Sequence, residues 1–322
     1  MILRVPRPQS DAILGAMRAI ALAHGEEGVA DADRQTIAAA AQIVLGRDPG
    51  DADSVTPRDP QQLAATMLSP DDARQAIRML AVLSLADGRV DAGKTALVQQ
   101  FADALGVDEE YLRILAETAA GEVAQAAACI VRKNAESFPH LNTTGIDHDA
   151  IAPFLPYREA PDAQLEARYS ALGELPHGSF GRAFHEHFVS HGFAFPGNPA
   201  GLAEGFTTPH DSSHVLSGYS TSQLGELCVS TFIGAMHPDH PMSAEVLPVL
   251  FSWHLGIHLN DIAGAATGYF EPRRFWTAWD RGAAMSTDIV AADWDFWGAT
   301  EVGLDELRAQ YDLPPAAAEL LA

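Results

Sequence analysis

The sequence has little positive charge. Its 322 residues include 20 lysines and arginines against 43 aspartates and glutamates, which gives a net charge of -23 at pH 7. Lys94 and Lys133 are the only lysines, so the chain cannot assemble a polybasic patch. Such a surface repels nucleic-acid phosphates and anionic lipid head groups. The balance therefore excludes a nucleic-acid partner and leaves at most a peripheral contact with membranes.

Cysteine is also scarce, and long apolar runs are missing. Cys129 and Cys228 stand alone, without the paired spacing of a disulfide framework, which is typical of the reducing cytosol. The apolar stretch after Asp11 is broken by Arg18 and lacks a cleavage site, so no signal peptide is expected. No run is long and apolar enough to span a bilayer. We therefore expect a cytoplasmic protein.

Strand-type alternation, glycine-rich phosphate loops and nucleophile elbows are absent as well, whereas helical periodicity and helix caps recur along the chain. The sequence therefore predicts an all-α fold. Its length suggests two domains of roughly 150 residues each. A stretch dense in proline, asparagine, glycine and aspartate marks their boundary. This gives a helical domain over residues 1–135, a linker over 136–160 and a second helical domain over 161–322.

The first domain contains an internal repeat whose copies lie sixty residues apart. Glu27-Gly28 matches Asp87-Gly88, and Leu45-Gly46 matches Leu105-Gly106. Each copy has the pattern of an apolar helix, an acidic turn and an amphipathic helix that glycine ends. Two pseudo-symmetric hairpins should therefore pack together. The residues expected at their interface are Ile20, Leu22, Ile37, Val44, Leu80, Val82, Leu97 and Leu105.

Two acidic stretches follow the apolar helix and the amphipathic helix of the second copy, Ala86-Asp87-Gly88-Arg89-Val90-Asp91 and Gly106-Val107-Asp108. They resemble the TerB-like helical domain associated with tellurite resistance, and that resemblance implies metal binding through acidic turns. Lys94 stands where such domains tend to place a glutamate. Asp31 and Asp91 are better explained as helix N-caps. We therefore expect an accessory or interaction module that folds without metal.

The second domain carries a pair of histidines with metal-ligand spacing. Pro209 fits the first position of a helix and Thr208 the cap before it, so His210 and His214 share one helix face. Neutral imidazole is the commonest protein ligand for zinc and iron. Asp211 lies between the two. It is either a fourth ligand, an acid/base group beside the metal, or an acceptor for the free amides at the start of the helix.

Glu226 completes the candidate set if the helix breaks. On an unbroken helix it would point about 120° away from His214. Gly218 supplies a stop, and Ser220 with a glutamine three residues later supplies a capping-box restart, so a second helix can turn Glu226 back. We expect a divalent metal held by His210, His214 and Glu226, with zinc favoured and iron or manganese as alternatives.

Other histidines are weaker candidates. His254 and His258 lie four residues apart on a helix expected over Ser243 to Gly264, which is apolar almost all round. They are either satisfied core histidines or polar groups that face the metal cavity and assist catalysis. His237 is expected in a loop outside the motif.

A further helix is expected over Ser179 to His191. It should bury a stripe made of Phe180, Phe184 and Phe188. Its histidines are expected at the surface or rim of the domain rather than among the ligands; these are His185, His187 and His191.

The spacing His-Asp-x-x-His-x11-Glu over residues 210–226 resembles the signature of the Coq-four family of coenzyme Q (ubiquinone) biosynthesis proteins. The resemblance continues upstream in Leu175-Pro176-His177-Gly178-Ser179-Phe180-Gly181-Arg182 and downstream in Ala278-Trp279-Asp280-Arg281-Gly282 and Asp293-Trp294-Asp295. It covers roughly the second half of the chain. One departure is the run over residues 205–209, which has no arginine where the family is arginine-rich.

This resemblance implies work on a polyprenylated aromatic ring, in which a hydroxyl replaces the ring carboxylate through oxidative decarboxylation at the metal. One alternative is a non-catalytic isoprenoid-binding scaffold that presents its ligand to partner enzymes, with the metal as a clasp. Another is reuse of the fold for a different small aromatic or lipid substrate. The expected ligand is hydrophobic in each case, and a homodimer is compatible with all three.

Overall fold

The computed structural model describes residues 5–23, 29–50, 54–66, 69–141, 152–158, 160–260 and 264–321. Over these ranges the protein is mainly helical and has no β-strand beyond isolated bridges, which confirms the predicted all-α fold. The α-helices are α1 (Arg7–Ala21), α2 (Asp31–Ile43), α3 (Pro60–Ala64), α4 (Pro70–Leu83), α5 (Ala92–Leu105), α6 (Glu110–Ala119), α7 (Val123–Ser137), α8 (Ala163–Ser170), α9 (Phe180–His191), α10 (Glu204–Ser217), α11 (Gln223–Met236), α12 (Leu247–Trp253), α13 (Pro272–Ala284), α14 (Phe296–Ala299) and α15 (Leu304–Gln310). A π-helix, Pro241–Val246, lies between α11 and α12. In the described part of the chain, no helix combines the length and the apolar character needed to cross a membrane.

Local sequence explains where several helices begin and end. The hydroxyl of Ser69 accepts a hydrogen bond from an amide in the first turn of α4, and Pro70 occupies the first position of that helix. Asp91 caps α5 through its carboxylate, as predicted. Gly106 ends α5 in the left-handed conformation, with φ of 67°.

Contacts between Cα atoms divide the chain into two compact units. One consists of Met1–Ile130 and Leu247–Asp280, and the other of Val131–Val246 and Arg281–Ala322. The segment Leu247–Asp280 comes from the range that the sequence analysis gives to the second domain. The expected domain boundaries, at residues 135 and 161, stay a prediction.

The repeat of the first unit forms two helix pairs, α1 with α2 and α4 with α5, and α1 also packs against α4. The first copy's turn, at Glu27-Gly28, lies outside the described residues. Leu22 is 39% exposed, contrary to expectation, because it follows the last residue of α1. Leu97 and Leu105 are half-buried. The expected interface residues that are buried are Ile20, Ile37, Val44, Leu80 and Val82.

Lys94 is fully buried in the first unit, where its ammonium group lies between two aspartates. Nζ donates to Oδ2 of Asp33 at 2.8 Å and to Oδ2 of Asp87 at 2.9 Å. The ammonium therefore supplies the positive charge that these carboxylates would otherwise take from a metal ion. Asp31, expected as an N-cap, lies one residue too late to cap α2, and its carboxylate pairs with Arg34.

The segment Leu247–Asp280 corrects the long helix expected over Ser243 to Gly264. α12 ends at Trp253, and Gly256 then adopts the left-handed conformation with φ of 70°. The amide of Ile257 donates to the carbonyl of Phe251, which closes the end of the helix. His254 and His258 therefore do not share a helix face.

Two buried side chains of the same segment bond to backbone carbonyls of the first unit. Nε2 of His254 donates to the carbonyls of Leu85 at 3.1 Å and Ala86 at 3.2 Å, and the imidazole is buried. Nε1 of Trp276, also buried, donates to the carbonyl of Thr36 at 3.2 Å. His258 is exposed.

In the second unit, α10 packs against α9 and α11. α9 buries the predicted stripe of Phe180, Phe184 and Phe188. α10 begins at Glu204, more than a turn before the expected start, so Pro209 lies inside the helix. Thr208 does not cap α10, because it too lies inside the helix, and its hydroxyl lies 2.6 Å from the hydroxyl of Tyr169.

Candidate functional site

α10 and α11 form the predicted helix, turn and helix. Gly218 ends α10 in the left-handed conformation, with φ of 81°. The restart differs from the prediction: Ser222 rather than Ser220 caps α11, and its hydroxyl accepts from the amide of Gly225 at 3.1 Å. A Cβ on Gly225 would overlap the carbonyl of Ser220, so only glycine permits this tight turn. The turn places Glu226 in the first turn of α11 beside the histidines of α10.

The side chains of His210, His214 and Glu226 converge. Nε2 of His210 lies 3.4 Å from Oε2 of Glu226, and Nε2 of His214 lies 3.4 Å from Oε1 of the same carboxylate. One donor atom of each residue lies within 4.8 Å of the other two. The three residues could therefore hold a single metal ion.

The orientation of His214 supports this assignment. Nδ1 donates to the carbonyl of Tyr219 at 3.0 Å, which leaves Nε2 without a proton in the neutral ring. Nε2 is buried and has no hydrogen-bond partner. A buried polar atom without a partner costs free energy, and a metal ion at the convergence point would satisfy it. The donor set fits a divalent metal.

Asp211 lies beside this group rather than within it. Nε2 of His187, on α9, donates to Oδ1 of Asp211 at 2.9 Å, and Oδ2 of Asp211 lies 3.7 Å from Nδ1 of His210. The carboxylate therefore braces the side of His210 that faces away from Glu226. It does not serve the free amides at the start of α10, because that start is at Glu204.

The charges of the site favour a cation. Burial alone would lower the pKa of His210, but the carboxylates of Asp211 and Glu226 outweigh burial and raise it to about 10. Burial alone would raise the pKa values of Asp211 and Glu226, but the neighbouring histidines outweigh burial and lower both. The pKa of Asp211 is well below its usual range, and that of Glu226 is lowered to about 2. Two carboxylates thus stay ionised beside imidazoles, as a divalent cation requires.

Aromatic rings enclose the histidines. The ring of Phe206 stacks on His210, with centroids 4.8 Å apart, and the ring of His187 stacks on His214 at 5.5 Å. Phe138 contacts the edge of Phe206 at 5.0 Å. These rings restrict water around the candidate ligands, which strengthens electrostatic interactions there.

Glu245 is a buried carboxyl group in the same unit. It lies on the π-helix, and Ser137 donates to its Oε1 at 3.0 Å. Burial raises the pKa of Glu245 to about 7, against the opposing effects of the Ser137 hydroxyl and of His237 and His210. The side chain is therefore partly protonated at neutral pH.

His237 lies in the loop after α11, as expected from the sequence, but its side chain is buried and bonded. Its Nδ1 donates to Oδ2 of Asp288 at 2.7 Å. Burial lowers the pKa of His237, but Asp288 outweighs burial and raises it. A substitution of His237 would therefore disturb the fold and makes a poor control for metal binding.

A cavity of about 1120 Å³ lies in the second unit, against the first half of α10. Its walls are mostly apolar and aromatic. The described residues that line it are His140, Leu141, Pro153, Leu155, Pro156, Tyr157, Arg158, Ala160, Tyr169, Ala203, Glu204, Gly205, Thr208, Pro209, Ile289, Val290, Ala291, Trp294, Asp295, Phe296 and Trp297. This volume exceeds that of most drug-sized ligand pockets.

The cavity and the candidate metal ligands lie on different faces of α10. At about 100° per residue, the midpoint of Glu204-Gly205 and Thr208-Pro209 lies roughly opposite the midpoint of His210 and His214. None of the three convergent donors is among the described residues that line the cavity. The cavity and the three convergent donors therefore lie on two sides of one helix.

Of the residues singled out from the sequence, three converge and three do not. His210, His214 and Glu226 meet, Asp211 lies behind His210, and His254 and His258 belong to the first unit. His187 is a site residue that the sequence analysis does not identify. It is expected at the rim of the domain, but it bonds Asp211 beside the candidate metal ligands. Its position three residues after Phe184 of the buried stripe is the signal that it faces inward beside the core.

Comparison with known proteins does not identify a family for this chain. No protein-family model matches the sequence, and no curated protein gives a significant match. One solved structure is a provisionally assigned ubiquinone biosynthesis protein from Nostoc punctiforme PCC 73102, with 18% identity over 77% of this chain and 100% of that chain, and a TM-score of 0.31. A score of this size does not mark a shared fold, so the site is interpreted from its own residues.

Proposed function

We propose that this protein binds one divalent metal through His210, His214 and Glu226 and acts on a hydrophobic molecule of the prenylated aromatic class used in coenzyme Q biosynthesis. The convergence of the three donors around the buried, unpartnered Nε2 of His214 carries the proposal. The likeness of the motif to the Coq-four signature supplies the substrate class. Zinc is the favoured metal, with iron or manganese as alternatives.

Each residue has a defined task in this proposal. The carbonyl of Tyr219 holds His214 in the tautomer that can ligate, and Asp211 with His187 holds the ring of His210 in place. Three protein ligands leave positions for a substrate oxygen, which a bound metal would polarise as a Lewis acid. Replacing a ring carboxylate by a hydroxyl is a two-electron oxidation that releases carbon dioxide. It balances if water supplies the hydroxyl oxygen and dioxygen takes up the two electrons to leave as hydrogen peroxide, and it would require iron or manganese at the site, because zinc has no redox chemistry.

The cavity supplies the second half of the proposal. Its aromatic and aliphatic walls suit an isoprenoid chain, since burying each methylene contributes about 0.8 kcal/mol. The volume of about 1120 Å³ leaves room for a ring together with several isoprene units.

A second candidate is a non-catalytic lipid-binding scaffold in which the metal clasps α10 to α11. The placement of the cavity and the donors on different faces of α10 favours it, because a ligand in the cavity need not touch the metal. In this case the ion would brace the turn and leave the chemistry to partner enzymes.

Cobalt substitution separates the two candidates, because the visible spectrum of cobalt reports its ligands. Addition of para-hydroxybenzoate should change the spectrum if positions on the metal are open, as the enzyme proposal requires. An unchanged spectrum with a tightly bound ion would support the scaffold. Mass spectrometry of molecules that co-purify with the protein tests the hydrophobic ligand. Ala291→Trp, which fills the cavity, should abolish that co-purification and leave the metal content unchanged.

A further inference from the structure

The cavity wall contains a polar cluster formed by three side chains. The hydroxyl of Tyr169 donates to Oε1 of Glu204 at 2.8 Å and lies 2.6 Å from Oγ1 of Thr208. Glu204 and Thr208 lie four residues apart on α10, so both project from the same face. All three residues line the cavity.

Among the residues that the structure describes, Glu204 lacks a positively charged neighbour. In the described ranges, no ion pair within 4.0 Å involves its carboxylate, although the side chain is half-buried. The hydrogen bond from Tyr169 uses only one of the positions at which an ionised carboxylate accepts. Burial, together with the negative charge of Glu204, raises the pKa of Tyr169, so this hydroxyl keeps its proton and remains a donor. The unused acceptor capacity of Glu204 adjoins the cavity.

The other charged residues of the cavity do not compete for this role. Arg158 and Asp295 are exposed, and the carboxylate of Asp295 already accepts from the amide of Gly298 to cap α14. A ligand group that enters the apolar space beside α10 therefore meets a carboxylate, a tyrosine hydroxyl and a threonine hydroxyl.

We propose that the cavity selects an apolar ligand by a hydrogen-bond donor on its head group. Glu204 accepts from this donor, while Tyr169, itself bonded to Thr208, holds the carboxylate in place. The proposal rests on the proposed function for the hydrophobic ligand and adds its head-group chemistry. A phenolic hydroxyl or an ammonium group satisfies Glu204, whereas a carboxylate is repelled. A hydroxybenzoate-type ring would therefore bind with its phenolic end at Glu204 and its carboxylate directed away.

The test compares four probes that share one apolar body: octylbenzene, para-octylphenol, para-octylbenzoate and para-octylbenzylammonium. Fluorescence of Trp294 and Trp297, which line the cavity, reports binding. Glu204→Gln removes the charge and keeps the shape. It should weaken the binding of para-octylphenol by about tenfold, because a hydrogen bond to a charged acceptor is roughly twice as strong as one to a neutral acceptor. It should strengthen the binding of para-octylbenzoate by a similar factor and leave the affinity for octylbenzene unchanged.

The remaining measurements separate the explanations. Glu174→Gln, at an exposed carboxylate outside the cavity lining, should leave all four affinities unchanged. Tighter binding of the ammonium probe than of the phenol would assign a cationic head group, and the reverse would assign a hydroxyl. The head-group inference would be overturned if Glu204→Gln changed the affinities for all four probes by the same factor, or changed none of them. Failure of both octylbenzene and para-octylphenol to bind the wild type would instead contradict the proposed hydrophobic ligand, whatever the metal content.

Discussion

Substituting Glu245 by glutamine should stabilise the protein, and increasingly so as the pH rises. Glu245 is 2% exposed, and burial raises its pKa from 4.5 to about 7, although Ser137, His237 and His210 act in the opposite direction. The folded protein therefore holds a proton that the unfolded chain releases near its ordinary pKa. The stability that this bound proton contributes is fully present below the pKa of Glu245 in the unfolded chain. It is lost as the pH rises towards the folded pKa of about 7.

The size of the effect follows from the shift. At about 1.36 kcal/mol per pKa unit, the wild type loses up to about 3 kcal/mol relative to a neutral side chain. Between about pH 5.5 and about pH 8.5, the difference in unfolding free energy between Glu245→Gln and wild type should grow by about 2 kcal/mol. Glutamine keeps an oxygen that can accept from Ser137, so the fold should be retained.

Chemical unfolding at a series of pH values measures this difference. Ser137→Ala is the matched companion variant, because it removes the hydroxyl that favours the ionised form of Glu245. The pKa of Glu245 should then rise further and move the loss of stability to higher pH. A difference between Glu245→Gln and wild type that stays constant with pH would refute the reasoning, as would a variant that becomes less stable above neutral pH.

Three further substitutions test the fold and the surroundings of the metal group. Lys94→Met leaves two buried aspartates without their cation and should cost about 3–5 kcal/mol of unfolding free energy, which neutralising both aspartates should largely restore. Gly225→Ala forces a Cβ onto a neighbouring carbonyl and should lower both the melting temperature and the metal affinity, whereas Gly303→Ala, whose Cβ would make only ordinary van der Waals contact with Glu306, should change neither. Asp211→Asn weakens the brace on His210 and should reduce metal affinity by about tenfold or more without unfolding the protein, as equilibrium dialysis would show.

Local sequence rules account for the helices and for much of the metal group. Asp91 and Gly218 act as the capping rules require, and a stop followed by a restart does bring Glu226 to the histidines. The sequence predicts the restart at Ser220, because a glutamine follows it at capping-box spacing. Ser222 caps instead, since only Gly225 permits the close approach that its cap needs.

Other features depend on contacts that no local pattern records. Local rules predict that Pro209 begins α10, yet the turn before it is helical because Thr208 bonds Tyr169 and Phe206 stacks on His210. Packing there outweighs the ordinary cost of proline inside a helix. The contact of Trp276 with the carbonyl of Thr36 joins residues 240 positions apart, so no local pattern assigns Leu247–Asp280 to the first unit.

The central claim is that His210, His214 and Glu226 hold the metal, and elemental analysis of purified variants tests it most directly. The control is His177→Ala, whose side chain is 82% exposed in the wild type. We expect one divalent ion per chain in the wild type and in His177→Ala, and folded, metal-poor protein for His214→Ala, because two donors hold an ion far more weakly than three. A full equivalent of metal in a His210→Ala/His214→Ala double variant would contradict the account.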